Sequence, residues 1–226
     1  MPGGALTGVA AGGNVSISLP PMLRNDVVVV IGGFNGATLT VPSGYSTFVS
    51  LSVGPFYKMR GLYKAMGVVP DAQVNLNIFG GPGTASTWSV LILRGVNIEL
   101  GVIGVTIGTI FTSDPGAAGT TTTVDGAWAI TCVTGLSTGV ATAAPSGYTN
   151  FVTEETGGIA AVAIASKEVP IAGVESPGNW TMPSTEVGIV GCNFAPLIRH
   201  TGLVGLSGNI KRGMNGTGLR RLQNVR

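Results

Sequence analysis

The chain of 226 residues contains one histidine, His200. A nucleophilic triad would require it to meet a serine and a carboxylate in space. Its neighbour Arg199 disfavours the charged imidazole, no Asp or Glu lies within ten positions, and no GxSxG elbow offers a serine. His200 therefore reads as an ordinary surface or core residue. Glu154 and Glu155 are adjacent, so on a strand they point to opposite faces and cannot share an acid–base site. The other carboxylates are scattered, and no DxDxDG-like loop offers calcium a cage. "GGPGTAS" (80–86) and "GMNGTG" (213–218) are glycine-rich but lack the GK[ST] of a phosphate loop. The first reads as a strand link and the second as part of a flexible arm. Cys132 and Cys192 have no CxxC spacing and no nearby His, so they do not make a metal site. They read as small apolar core residues of a reducing compartment, and a disulfide would need neighbouring strands. The expectation is a non-enzymatic protein without cofactor or metal.

Charge is informative only at the C-terminal end. Residues 201–226 hold Lys211, Arg212, Arg220, Arg221 and Arg226 and no acid. The chain carries 12 − 10 = +2; without these five cations it carries 7 − 10 = −3. Glycine and asparagine make this segment a poor helix. A solvated tail, an arm laid over an acidic neighbouring subunit and a nucleic-acid contact are all open readings. The arm is preferred, because five charges without interleaved aromatics leave only a small footprint for nucleic acid.

The elements that would position any site are strands. Helical periodicity is nearly absent, whereas "NVSISL", "DVVVVIG", "ATLTV", "YSTFVSLSV", "QVNLNIF" and "WSVLILRGV" are short, β-rich and bounded by turn residues. "FYKMRGLYKAM" (56–66) alternates, with Tyr57, Met59, Gly61 and Tyr63 on one face and a charged face opposite. Glycine accounts for 37 residues and charged residues for 10%, against roughly 25% in average soluble proteins. Such a surface repels neighbours weakly and suits a packed assembly. No apolar run is long enough for a membrane-spanning helix. The start "MPGGALTGVAAGG" has neither a basic region nor a sustained apolar stretch, so no secretory leader is expected.

"PSGYSTFVS" (42–50) recurs as "PSGYTNFVT" (145–153), a separation of 103 residues. Around both copies the strand order is similar: a strand near Asp26 or Asp125, the PSGY turn, a long amphipathic strand, a link at Pro70 or Pro170, and a final apolar strand. This reads as an internal duplication with the period of one sandwich unit. The fold expectation is an all-β, duplicated antiparallel β-sandwich of jelly-roll type. Its parts are an N-terminal arm (1–13), a first repeat (14–117), a second repeat (118–200) and a basic arm (201–226). If the copies superpose, Tyr45 should overlie Tyr148, and Trp88 should lie near the place of Glu186 or Val187. Pro42, Gly44 and Tyr45, like Pro145, Gly147 and Tyr148, supply turn chemistry. Tyr45 and Phe48, like Tyr148 and Phe151, are three apart and should face opposite sides, one ring filling the core. Core positions are expected in "VVVVI" (27–31), "SVLIL" (89–93), "AWAITCV" (127–133) and "VGIVG" (187–191).

Pro42, Ser43, Gly44 and Tyr45, followed by a "YK" pair and by Arg94, Gly95 and Val96, resemble a group of poorly characterised proteins of tailed phages and prophages. Those proteins carry a PSGW-type turn and an "[YF]RGV"-type strand end on a two-repeat β-sandwich. "TTTTVDGAWAI" (120–130) resembles the opening strand of their second repeat. The likeness spans roughly residues 14–198; Tyr stands where Trp is usual, and the second copy ends in "CNFAP". The resemblance implies a virion location and a structural role as a decoration, neck or tail-appendage subunit. Its implied partners are capsid, neck or tail proteins and other copies of itself. The alternative is a glycan-binding module of a receptor-binding appendage, for which Trp88, Trp180, Tyr45 and Tyr148 are the candidate rings.

Overall fold

The structure is a computed structural model and describes residues 2–10, 13–53, 57–97, 102–110, 114–137, 139–156 and 160–196. The described residues contain strands and no helix. The strands are β1 (Pro2–Ala10), β2 (Gly13–Ser18), β3 (Val27–Thr40), β4 (Ser46–Val53), β5 (Tyr57–Ala65), β6 (Gln73–Leu93) and β7 (Val102–Ile110). They continue as β8 (Thr120–Thr122), β9 (Ala127–Ser137), β10 (Thr149–Thr156), β11 (Ala160–Val169), β12 (Gly173–Glu175) and β13 (Ser184–Phe194). All pairings among them are antiparallel.

The first sheet runs β1-β6-β3-β5-β4, with β2 also paired to β6; the second runs β10-β11-β9-β13-β7; β8 and β12 pair separately. Read from its first edge strand, each large sheet has the same connectivity: β1-β6-β3-β5-β4 and β7-β13-β9-β11-β10. The registers agree as well. Lys64 lies opposite Val28 and Lys167 opposite Ala129, while Val28 lies opposite Ile92 and Ala129 opposite Asn193. By this register Trp88, opposite Gly32, corresponds to Ile189, opposite Val133. The expected place, Glu186 or Val187, lies two to three residues before this register equivalent.

The two large sheets stack face to face. One face of "VVVVI" (Val27, Val29, Ile31) packs with Leu91, Leu93, Ile130, Cys132, Val162, Ile164, Val190, Cys192 and Phe194 in a core drawn from both sheets. The opposite face is covered too. Val28, Val30 and Val90 lie under Ile17, Leu39, Val74, Leu76 and Ile78. Ala129, Val133 and Ile189 lie under Trp180 and Met182. Strands buried on both sides need unbroken apolar runs, which is why these stretches do not alternate. In β5 Tyr57 and Met59 do face the other sheet, but Leu62 on the expected charged face is buried in the outer cluster.

A polar contact fixes one end of the interface. The Tyr57 and Thr134 hydroxyls hydrogen-bond each other, and both lie within reach of the Ala161 carbonyl, at 3.2 and 2.9 Å, which accepts the proton that this bond leaves over. Gly33 leaves the room for this: a Cβ there would overlap the Tyr57 and Thr134 oxygens.

Three boundaries differ from the sequence reading. The segment 1–13, expected as an arm, contains β1, whose residues 2–10 take the free edge of β6. "DVVVVIG" and "ATLTV" join as one strand, β3, because a bulge between Asn35 and Ala37, with Gly36 at φ 64°, shifts the register without ending the ladder. The segment 14–117 contains β7, which pairs with β13 in the second sheet. Each large sheet thus contributes half of one shared core.

Cys132 and Cys192 are free, buried and on neighbouring strands, displaced by two residues from direct opposition. Burial pushes the Cys192 thiol up to about 12. Burial first, and Cys192 second, hold Cys132 well above the ordinary range. Protonated, enclosed thiols are poor nucleophiles. The native protein is expected to leave an aromatic disulfide reagent unreacted at mildly alkaline pH and to titrate both thiols once unfolded in guanidinium. Release of either thiol from the native protein would contradict this packing.

Candidate functional site

The repeated nonapeptides form the same turn. The Tyr45 N–H donates to the Pro42 carbonyl at 3.1 Å, and the Tyr148 N–H to the Pro145 carbonyl at 3.1 Å. Gly44 and Gly147 stand at φ 79° and 80°, the third position of a type II turn, where a side chain would be strained. Beyond the turns the two copies diverge. Tyr45 joins the outer cluster and Phe48 the core between the sheets, on opposite sides as expected. Tyr148 and Phe151 instead join the same outer cluster, with Phe151 and Trp180 ring centroids 6.3 Å apart. Asn150, one of the two residues between them, has φ 51° within a register break, which turns Phe151 to Tyr148's side.

Each turn is accompanied by an ion pair absent from the sequence reading. Lys64 Nζ lies 2.5 Å from Asp71 Oδ2 and 5.6 Å from the centroid of the Tyr45 ring. Lys167 Nζ lies 2.8 Å from Glu175 Oε2. Both lysines stand nineteen residues after their tyrosine (64 − 45 and 167 − 148), a spacing that was available as a signal. The acids come seven and eight residues later, and this unequal spacing hid them. Burial, and then the Asp71 charge, hold the Tyr45 phenol well above its ordinary value. Burial, then Glu175 and Cys192, do the same for Tyr148. Both phenols are therefore neutral at physiological pH and do not act as bases there.

Arg94, Gly95 and Val96 have a structural setting. Arg94 Nε lies 3.2 Å from Oδ2 of buried Asp26, and its Nη2 donates to the Pro21 carbonyl at 3.1 Å. Gly95 has φ 70°, and Val96 bridges to Pro196, joining the last segments of the two sheets. Of the four rings considered for glycans, Trp180 is fully buried and Trp88 and Tyr148 are buried; Tyr45 alone is half-buried.

The starts of β3 and β9 share one end of the sandwich. Tyr57, opposite Asn35 late in β3, touches Thr134 late in β9, while Tyr63, opposite Val29 early in β3, packs edge-on at 5.9 Å against Phe194, opposite Trp128 early in β9. Leu23 precedes β3 at that end. Val68 and Val69 come after β5, and Ile171 after β11, at corresponding places beyond the strands that pair with β3 and β9. All four side chains are exposed, Val69 at 86%, and Val174 on β12 is exposed as well.

Among the described residues no group of three His, Cys, Asp or Glu side chains is placed to hold a metal. His200 and the arm residues Lys211, Arg212, Arg220, Arg221 and Arg226 lie outside the described residues. No protein-family model, curated protein or solved structure matches this chain.

Proposed function

We propose that this chain is a non-enzymatic structural subunit of a tailed-phage particle, a decoration, neck or tail-appendage protein that acts by adhesion to neighbouring subunits. In this reading the chain is a duplication whose two copies form one body, and copies of it associate with one another and with capsid, neck or tail proteins. The observation that carries the reading is that four of the large aliphatic side chains exposed among the described residues, Leu23, Val68, Val69 and Ile171, belong to loops at one end of the sandwich. Exposed apolar groups gathered on a body that buries both faces of its main strands mark a surface meant for a partner. Burial there supplies affinity at roughly 25 cal/mol per Å², less the cost of ordering any arm that joins in. The matching connectivity and register of the two sheets support the duplication.

The basic segment 201–226 is the second adhesive element of this proposal. Its charge is opposite to that of the rest of the chain, and Ile210, Met214, Leu219 and Leu222 give it apolar anchors. Deleting residues 207–226 is expected to leave the melting transition unchanged and to weaken assembly, read by sedimentation velocity of the full and shortened chains. Replacing Arg220 and Arg221 by Ser is expected to make assembly less sensitive to salt. A shortened chain that assembles as the full one does would overturn the role of the arm. A shortened chain that no longer melts cooperatively would show that the segment belongs to the sandwich.

A further inference from the structure

The groove beside the first PSGY turn has the chemistry of a ligand site. Its volume is about 440 Å³, within the roughly 300–1,000 Å³ of small-molecule sites. Ser43, Tyr45, Asp71, Gln73 and Asn75 line it. Ser43, Gln73 and Asn75 are exposed, Asp71 and Tyr45 half-buried.

Asp71, Gln73 and Asn75 are held by bonds to Lys64, to Ser16 and to each other. Asp71 Oδ2 is taken by Lys64, which leaves Oδ1 as an acceptor. The Asn75 side-chain oxygen receives the Ser16 hydroxyl at 2.7 Å and the Gln73 amide at 3.1 Å. With its oxygen so used, the exposed Asn75 side chain has its amide nitrogen to offer as a donor, and Gln73 its oxygen as an acceptor. Ser43 supplies a hydroxyl that can do either. The wall is a neutral tyrosine whose face is also approached by Lys64. The Lys64–Asp71 pair cancels its own charge, so the groove does not select an ion.

Alternating donors and acceptors on planar amides and a carboxylate, beside an aromatic ring and without net charge, match vicinal hydroxyls on a ring. We propose that this groove binds a neutral saccharide, with Asp71, Gln73 and Asn75 bonding its hydroxyls and Tyr45 packing against its carbon face. The second turn differs. Tyr148 is buried there, and Pro177 stands two residues after Glu175 where Gln73 stands two after Asp71, so that only an asparagine four residues on (Asn75, Asn179) is kept. The site belongs to the first copy alone. It stands independently of particle assembly, since a free subunit carries the whole groove.

The test is titration of the full chain with the methyl glycosides of glucose, galactose, mannose and N-acetylglucosamine, monitored by two-dimensional amide spectra, with glycerol as the control polyol. At least one glycoside is expected to shift the Ser43, Tyr45, Gln73 and Asn75 signals saturably, while glycerol and the amides around Tyr148 show no such change. Gln73→Ala, at an exposed position, is expected to melt as the parent does and to bind about tenfold more weakly. Three outcomes would each overturn the proposal: no saturable shift with any of the four, equal shifts with glycerol, or undiminished binding by Gln73→Ala.

Discussion

Leu91→Asp is expected to cost about 4 kcal/mol or more, lowering the melting temperature by about 8–16 °C or more at roughly 2–4 °C per kcal/mol for a chain this size. Leu91 is fully buried on β6, in the core between the sheets, among Val29, Ile130 and Cys192. An aspartate there would meet hydrocarbon and thiol from both sheets, and the charged core residue would have to ionise without a partner or stay protonated at a similar cost. Because both sheets line that core, the loss should be global. Amide exchange should accelerate in β9, β11 and β13 as much as in β3 and β6. Wild-type melting would show that Leu91 does not face the second sheet, and the two-sheet stacking would then be wrong.

Trp180→Ala should be almost as damaging, by about 3–5 kcal/mol. Trp180 has no exposed surface and heads the fully buried side chains by size. It covers the outer face of the second sheet with Met182 and packs beside Phe151, while its backbone N–H donates to the Pro115 carbonyl at 2.9 Å. Removing the ring would open a cavity over Ala129, Ala161 and Ala163, whose small side chains cannot close it. Thermal melting monitored away from tryptophan fluorescence checks this. A fall under about 1 kcal/mol would mean that the ring sits on the surface and that the sheet face beneath it is not covered.

The all-β architecture was legible in the sequence because the turn residues are local. Pro42, Gly44, Pro145 and Gly147 declare their turns through φ alone, and the structure gives them one geometry. The central strands were legible for a different reason: a run such as Val27–Ile31 can be satisfied only by burial on both faces. What the sequence could not convey was pairing across distance. β1 looks like an arm because its Gly-rich residues carry little β signal; it is a strand because β6 has an edge to be covered. β7, likewise, is sited by β13, more than seventy residues further on. The ion pairs at the turns were half legible. Lys64 and Lys167 repeat at a fixed distance from their tyrosines, but Asp71 and Glu175 lie beyond links of unequal length, where spacing loses its meaning. The fates of Phe48 and Phe151 were beyond sequence reading, because one non-glycine residue at positive φ, Asn150, decides which face the second ring takes.

The central claim, that this chain is a structural subunit held in a tailed particle by adhesion, is tested most directly by purifying tailed particles from cells that carry its gene and reading their density map together with their protein content. The account predicts that the chain is a stoichiometric component of purified particles. It also predicts that its two-sheet body is found in repeated density, with the end carrying Leu23, Val68, Val69 and Ile171 against a neighbouring subunit. Purified particles that lack the chain, or a body that touches no neighbour through that end, would contradict it.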